Sequence, residues 1–442
     1  MIGGGGFKDT LRLAAGVSTL ITAVVGGVYL AWRILGQTDS LMYVGTFLLS
    51  IMVLMGLVVR YLSFMWLGYL HQVEQTARTE AKGQVTWPPV TIIVPAYNEG
   101  PVIVPAIRSL LQIDYPAYEI LVVDDGSTDD TAERVAPLEG RHGDVTVRLV
   151  SKINGGKAAA LNTGIALARH DFVLCMDGDS KLEPQVLRVS MPHFAKDHVA
   201  AVAGNVKVIN RDSHLARFQA LEYIEGLNMA RRAQGFVRVV NIIPGPIGVF
   251  RRTVLQEVGG YDRDTYAEDA DLTLKILSAG YHIVYEDRAV AWTEAPETIN
   301  DLIKQRYRWT RGILQAVRKR KLALLNPVST WVWLSLVMMI FEGIVMPAAN
   351  IVVNGMFTVT ALVTGELGSF IVWWFLLFNL LDLIAAMYCV SGEQEELRLV
   401  PYALLMRFFY FPMIDVTKLM ATVDELQNVE MTWGKLQRQG RL

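Results

Sequence analysis

The sequence predicts an α/β domain with a mainly parallel sheet, placed in the cytoplasm between transmembrane α-helices. Three observations lead there. Hydrophobic residues make up 52 % of the chain and the mean hydropathy is positive, high values for a soluble protein. That excess gathers at the two ends and leaves Val85 to about Asn300 with the mixed polarity of a soluble α/β domain. Within this middle part, short apolar runs alternate with helix-like segments.

Residues 1–84 read as an amino-terminal transmembrane hairpin. Leu13 to Leu35 is nearly all apolar between Arg12 and Arg33, and Leu41 to Val59 repeats the pattern. At about 1.5 Å per residue the first stretch crosses a hydrocarbon layer of about 30 Å. The linker Gly36 to Ser40 lacks Lys and Arg, whereas Arg60, Arg78 and Lys82 follow the second span, so the hairpin tip is expected outside. A secretory signal is the competing reading of the first segment, but its apolar core is too long and a second span follows at once. The glycine run Gly3 to Gly6 reads as a flexible end.

Residues 85–298 read as the sheet domain. Val90 to Val94, Ile120 to Val123, Val145 to Val150, Phe172 to Met176 and Val199 to Ala203 are expected as buried strands, their sheet covered on both faces. Ligands of such sheets bind beyond the carboxyl ends of the strands, where Asn98, Asp125 and Asp177 fall. Residues 299–327 mix basic and apolar positions and are expected as amphipathic helix on the membrane surface. In residues 328–442, Trp331 to Asn350, Phe370 to Val390 and Pro401 to about Met420 are candidate spans. Three spans would put the carboxyl end outside, yet Lys435, Arg438 and Arg441 favour the inside. Either Trp331 to Thr364 forms two spans broken near Pro347, or the last segment is re-entrant or interfacial.

Several function classes drop out. A net charge of −2 from 41 basic and 43 acidic residues is no polyanion-binding signature, so no nucleic-acid partner is expected. The seven histidines show no HxxxH or HxxEH spacing and no GxSxG elbow occurs, which leaves metalloprotease and serine hydrolase readings without support. Cys175 and Cys389 have no CxxC partner and read as buried small hydrophobes.

The chemistry-bearing residues fall in six places. Pro95-Ala96-Tyr97-Asn98-Glu99 ends the first strand and Asp124-Asp125-Gly126-Ser127 the second. An aspartate there can accept the ring N–H of uracil and Tyr97 can stack on the base, although Asp-Gly-Ser is also common turn chemistry. Asp177-Gly178-Asp179 is either a turn or a pair of hard oxygen ligands for Mg2+ or Mn2+ bridging two phosphates. Asn154-Gly155-Gly156-Lys157 is either a solvated turn or a loop approaching phosphate, with Lys157 as a point charge. Glu268-Asp269 opens a helical pattern, so Asp269 is either an N-cap or a general base, with Asp271 the weaker candidate.

Gln305, Arg308 and Trp309 share one helix face. Arg308 can hold a diphosphate and Trp309 can stack on a sugar, against the ordinary reading of Trp309 as an interface residue. Glu342 and Asp382 fall inside expected spans, where they line a polar path or pair between helices.

In their order, Pro95 to Glu99, Asp124-Asp125-Gly126, Asp177-Gly178-Asp179, Glu268-Asp269 and Gln305 to Trp309 resemble the motif series of family 2 processive glycosyltransferases. That family includes cellulose, hyaluronan, chitin and poly-N-acetylglucosamine synthases. The resemblance implies a GT-A fold, a nucleotide-activated sugar donor, inversion at the anomeric carbon and a growing β-linked polymer passed through the membrane segments. It implies that Asp125 contacts uridine, that Asp177 and Asp179 bind diphosphate and metal, and that Asp269 is the base. Gln305, Arg308 and Trp309 become the terminal motif, and Pro244-Gly245-Pro246-Ile247-Gly248 part of the acceptor site. Two departures stand out. The family's Thr-Glu-Asp reads Ala267-Glu268-Asp269 here, and no carboxy-terminal stretch is long enough for a cyclic-diguanylate-binding domain.

The expectation is therefore a multi-pass enzyme of the plasma membrane that polymerises sugar from a UDP-sugar donor, UDP-N-acetylglucosamine in the first instance, with Mg2+ or Mn2+. Catalysis is expected of Asp269, Glu268, Gln305, Arg308 and Trp309. Donor binding is expected of Tyr97, Glu99, Asp124, Asp125, Lys157 and Asp177, and metal binding of Asp177 and Asp179. Expected partners are the UDP-sugar, the growing polysaccharide, the lipid bilayer and an accessory membrane or secretion subunit. A ceramide-glucosyltransferase-like transfer to lipid and a UDP-glucose or UDP-glucuronate synthase are the alternatives.

Overall fold

A computed structural model describes residues 41–80, 86–325, 329–364 and 369–430. Leu13 to Leu35, the tip Gly36 to Ser40, Gly3 to Gly6, Lys82 and the basic residues Lys435, Arg438 and Arg441 lie outside the described residues.

The five expected strands all form, because runs of Val, Ile and Leu buried on both faces need no polar alternation. They belong to a nine-stranded sheet of β1 (Val90–Ala96), β2 (Tyr118–Asp124), β3 (Gly140–His142), β4 (Val145–Ser151), β5 (Phe172–Cys175), β6 (Ser180–Leu182), β7 (Val199–Val208), β8 (Gly248–Arg251) and β9 (His282–Thr293). The order is β3-β4-β2-β1-β5-β8-β7-β9-β6. The long ladders β4-β2-β1-β5 and β7-β9 are parallel, while β8 runs antiparallel to both β5 and β7. Side chains alternate as the pleat requires. Ile92, Val94, Ile120 and Val122 enter one core and Ile93, Leu121 and Val123 the other.

The longer helices are α1 (Leu41–Glu80), α2 (Gly100–Leu110), α3 (Lys157–Leu167), α4 (His214–Glu222), α5 (Met229–Phe236), α6 (Glu268–Ser278), α7 (Ile299–Lys319), α8 (Thr330–Ile340), α9 (Met346–Thr364), α10 (Ser369–Gly392) and α11 (Phe411–Leu426). α1 continues well beyond the expected span. Its second half packs on the sheet domain, with Gln75 donating to the Tyr285 carbonyl at 3.2 Å. Gly68 lies so close to α5 that a Cβ there would meet Met229 Sδ at 2.8 Å.

Among the described residues three π-helical turns interrupt the helices: Tyr223–Asn228 between α4 and α5, Phe341–Val345 between α8 and α9, and Met406–Tyr410 before α11. The last two stand immediately ahead of Pro347 and Pro412. A proline lacks the N–H donor and crowds the carbonyl four residues back, and a widened turn accommodates both. Thr330 to Thr364 is therefore one continuous helical run, not two spans broken near Pro347.

Among the described residues, Ile51–Ala77, Thr330–Gly355, Phe375–Gly392 and Leu397–Leu426 are long and apolar enough to cross a membrane. The last, the expected third carboxy-terminal span, is held to the sheet domain at both ends. At its start Tyr402 accepts hydrogen bonding from Arg217 at 3.1 Å and meets His214 Nδ1 at 2.7 Å. At its end Tyr307 donates to Asp424 at 2.6 Å and Arg311 to Glu425 at 2.9 Å. Both ends being fixed to the domain, the segment lies across it, as the interfacial alternative requires. Asp382 on α10 pairs between helices, with Arg407 at 2.7 Å and the Tyr61 hydroxyl at 3.2 Å, and Glu342 sits 3.6 Å from Arg60.

Candidate active site

β1 and β2 end level, Ala96 pairing with Asp124, and β5 ends beside Ile93 of β1 in the same direction. The loops after β1, β2 and β5 therefore open at one sheet edge, with Tyr97, Glu99, Asp124, Asp125, Asp177 and Asp179 on them. Asn98 adopts φ 53°, and its side-chain oxygen accepts from Thr128 N at 2.7 Å. Glu99 N donates to Thr131 Oγ1 at 2.8 Å, and Asp124 Oδ1 accepts from Ser127 N at 3.1 Å. Gly178 has a steric reason to be glycine. A Cβ there would stand 2.6 Å from the Pro95 carbonyl oxygen.

Asp125 is buried and its carboxylate is fully engaged. It accepts from Lys152 Nζ at 2.5 Å, Gly156 N at 2.7 Å and Gly155 N at 3.1 Å. The amides of the Asn154 to Lys157 loop thus serve Asp125, which a buried anion demands. The Gly155 and Gly156 amides are therefore engaged within the protein. What the loop delivers is Lys157, whose ammonium sits 2.6 Å from both Asp177 and Glu268. Burial works against its charge, but Asp177, Glu268 and Asp269 outweigh burial and raise its pKa.

Asp269 stands in the first turn of α6 and is not its N-cap; that position is Ala267, which makes no side-chain cap. Its Oδ1 accepts from Ala270 N at 2.8 Å and its Oδ2 from Gly245 N at 3.3 Å, so the Pro244 to Gly248 loop reaches the expected base. Burial, then the neighbouring Glu268, push its pKa up to about 6 against the pull of Lys157. A carboxylate so placed can take a proton near neutral pH. Asp271 is excluded from that role, being wholly buried and paired with Arg320 and Lys319.

α7 presents the third group. Gly312 lies against the turn that carries Asp269, where a Cβ would meet Ala267 N at 2.4 Å. Gln315 accepts from Tyr266 N at 3.1 Å, fixing the same contact. Trp309, one helical turn earlier, packs on Tyr223 with ring centroids 6.3 Å apart, and the Arg306 guanidinium covers its ring at 4.3 Å. Arg308 is half-buried beside it. Gln305 is buried in the packing and its carbonyl oxygen is taken by Arg306.

Among the described residues no three His, Cys, Asp or Glu side chains converge as a closed metal cage. The carboxylates of Asp177 and Asp179 nonetheless suit Mg2+ or Mn2+. Such ions take one or two protein carboxylates and complete their shell from substrate phosphates and water.

The family model described as glycosyltransferase like family 2 matches residues 88–312, half of the chain. The chain belongs to glycosyltransferase family 2. This family 2 glycosyltransferase is 34 % identical over 224 residues to the poly-β-1,6-N-acetyl-D-glucosamine synthases of Staphylococcus epidermidis and Staphylococcus aureus. The match covers 50 % of this chain and 54 % of each synthase, so the chain spans about half the length of the curated relatives it matches. A mannosyltransferase from Pyrobaculum calidifontis, solved with GDP-mannose and Mn2+, is similar with TM-score 0.56 and 22 % identity. That likeness covers 86 % of this chain and all of the other. It shows the fold, which is GT-A.

Residues that position the site of this glycosyltransferase went unnoticed in its sequence. Glu222 on α4 binds Arg306 and accepts from the Tyr410 hydroxyl at 2.6 Å, which ties α7 to the carboxy-terminal segment. Burial would raise the Glu222 pKa, but Arg306 and the Tyr410 hydroxyl hold it below the usual carboxylate value. Arg311 and Gln315 both donate to Glu425. Such partners lie more than eighty residues apart, and nothing local marks them.

Proposed function

We propose that this protein is an inverting, membrane-embedded transferase that extends a β-linked polysaccharide from a UDP-sugar, in the first instance UDP-N-acetylglucosamine, and passes the product across the membrane. One observation carries the reading. Asp269, with its pKa near 6, stands between the Lys157 and Asp177 pair on one side and the helix of Trp309 on the other.

In this reading the donor lies along the ends of β1, β2 and β5, its base against Tyr97 and its diphosphate towards Lys157 and Arg308. Asp177 and Asp179 would hold a divalent ion, which would supply positive charge to the diphosphate. The acceptor sugar stacks on Trp309, and Asp269 removes the proton from its attacking hydroxyl. That oxygen bonds to the anomeric carbon from the face opposite UDP as the sugar–phosphate bond breaks, which inverts the centre. Lys157 and Arg308 bear the negative charge that develops on UDP. The domain sits in the cytoplasm, with α1, the α8 to α9 run and α10 in the bilayer and Leu397–Leu426 at its surface.

The names of the synthase relatives support the amino sugar and the polymer. The test is UDP release by the purified full-length protein with Mg2+ or Mn2+ across a panel of UDP-sugars, followed by product sizing and glycosidase digestion. A long polymer is expected; one sugar on an extractable lipid would overturn polymerisation. Asp269→Asn is expected to abolish transfer while UDP still binds, and full activity in that variant would remove Asp269 from its role.

A further inference from the structure

Trp309 is half-buried and is not held by α7 alone. The Arg306 guanidinium lies over its ring at 4.3 Å, and the tilted ring of Tyr223 packs on it with centroids 6.3 Å apart. An indole has two faces, and a cation over one of them leaves a sugar the other. Arg306 is itself buried and fixed at each nitrogen. Its Nε donates to Glu222 Oε1 at 3.2 Å, one terminal nitrogen donates to the second oxygen of that carboxylate, and the other to the Gln305 side-chain oxygen.

Glu222 Oε2 also accepts from the Tyr410 hydroxyl at 2.6 Å. Tyr410 is wholly buried and closes the π turn Met406–Tyr410. Its ring stacks on Phe218 of α4 with centroids 5.6 Å apart, and its neighbour Phe409 meets the same ring edge-on at 5.1 Å. Phe218 and Glu222 stand one helical turn apart on α4. Phe409-Tyr410 thus grips α4 at two points, and the second of them carries Arg306. A buried ion pair adds little stability over apolar side chains of the same size, because desolvation offsets the attraction. What a bidentate pair does supply is direction, since the planar fork fixes the guanidinium over the indole. Asp125 and Lys157, on the donor side, are held by contacts of their own.

We infer that Glu222 and Tyr410 are positioning residues for the Trp309 ring, acting through Arg306, so that the carboxy-terminal segment sets where the acceptor sugar stacks. The inference rests on the glycosyl-transfer reading above and adds to it a link from the π turn of residues 406–410 to the acceptor platform.

The test compares wild type, Tyr410→Phe, Glu222→Gln and Glu222→Asp as full-length protein in detergent, with UDP-N-acetylglucosamine and Mg2+. UDP release is measured without acceptor, as hydrolysis, and against a titrated N-acetylglucosamine oligosaccharide; UDP affinity and the unfolding temperature are measured alongside. Tyr410→Phe removes one oxygen and keeps the ring on Phe218, and is expected to raise the acceptor KM about fivefold or more. Glu222→Gln, which takes the charge from beside Arg306, should raise it further, and Glu222→Asp should recover part of that loss. Hydrolysis and UDP affinity should stay near wild type in all three, whereas a merely structural defect would lower donor and acceptor parameters together. A wild-type acceptor KM in Tyr410→Phe and Glu222→Gln overturns the inference. So does a fall of hydrolysis and UDP affinity in step with unfolding temperature, which would make these residues structural, or a loss of UDP affinity alone, which would set them under the donor. Absence of UDP release by the wild type from any UDP-sugar would overturn the transferase reading itself.

Discussion

Asp269 and Lys157 act on each other's charge, and the pH dependence of the enzyme follows from that pair. With its pKa raised to about 6, Asp269 is protonated at lower pH, so transfer is expected to climb as pH rises through about 6. Stability moves the other way. A carboxyl whose folded pKa lies above its unfolded value contributes stability below that unfolded value, and loses it as pH rises through the folded one. The ligand-free protein should therefore lose the Asp269 contribution between about pH 4 and 6 while it gains activity, as denaturant midpoints and pH–rate profiles measured together would show. Lys157→Met removes the cation that opposes this shift and leaves Asp177, Glu268 and Asp269 facing one another. The acid limb of its pH–rate profile is expected at higher pH than in wild type; an unmoved limb would disconnect Lys157 from the base.

Among the elements, the contact between α7 and the first turn of α6 decides how far Trp309 stands from Asp269. Gly312 permits it, since a methyl group there would meet the Ala267 backbone. Gly312→Ala is expected to lower transfer at least about tenfold and stability by about 1–3 kcal/mol, with UDP affinity unchanged. Calorimetry and acceptor-dependent UDP release would check it; normal elongation by a destabilised variant would show that the spacing is not critical. β1, β2, β5 and β7 were legible in the sequence because they are buried on both faces, and β4 because Val145, Val147 and Leu149 alternate with Thr146 and Arg148. β8 was not, being four residues long, and neither was β9, whose half-exposed pattern breaks at Glu286-Asp287-Arg288. The motif tips were legible as well. The Asn154 to Lys157 loop leaves two readings open in the sequence because glycine amides look alike whether they approach a phosphate or hold the carboxylate of Asp125.

At the scale of the molecule, the contacts at the two ends of Leu397–Leu426 bear on the parity that apolar runs left open. Glu395, directly after α10, pairs with Lys207 at 3.0 Å, so α10 returns the chain to the sheet domain and the last helices remain there. A reporter inserted between Thr364 and Ser369 is expected on the opposite side of the membrane from one fused after Asn428, which should share the side of the sheet domain. Paired activity reporters in cells would measure this, and opposite placement of the Asn428 fusion would restore a third carboxy-terminal span.

By itself the sequence determined the α/β class, the strands of the parallel core, the apolar helices and the order of the acidic, glycine and tryptophan motifs, since each is written in local periodicity or turn chemistry. Only the tertiary structure decided which groups those residues meet: Asp125 with its own loop, Lys157 between two carboxylates, Glu222 under Arg306. Composition and spacing describe one segment at a time, whereas the protonation and partners of a buried group depend on charges brought to it from distant parts of the chain.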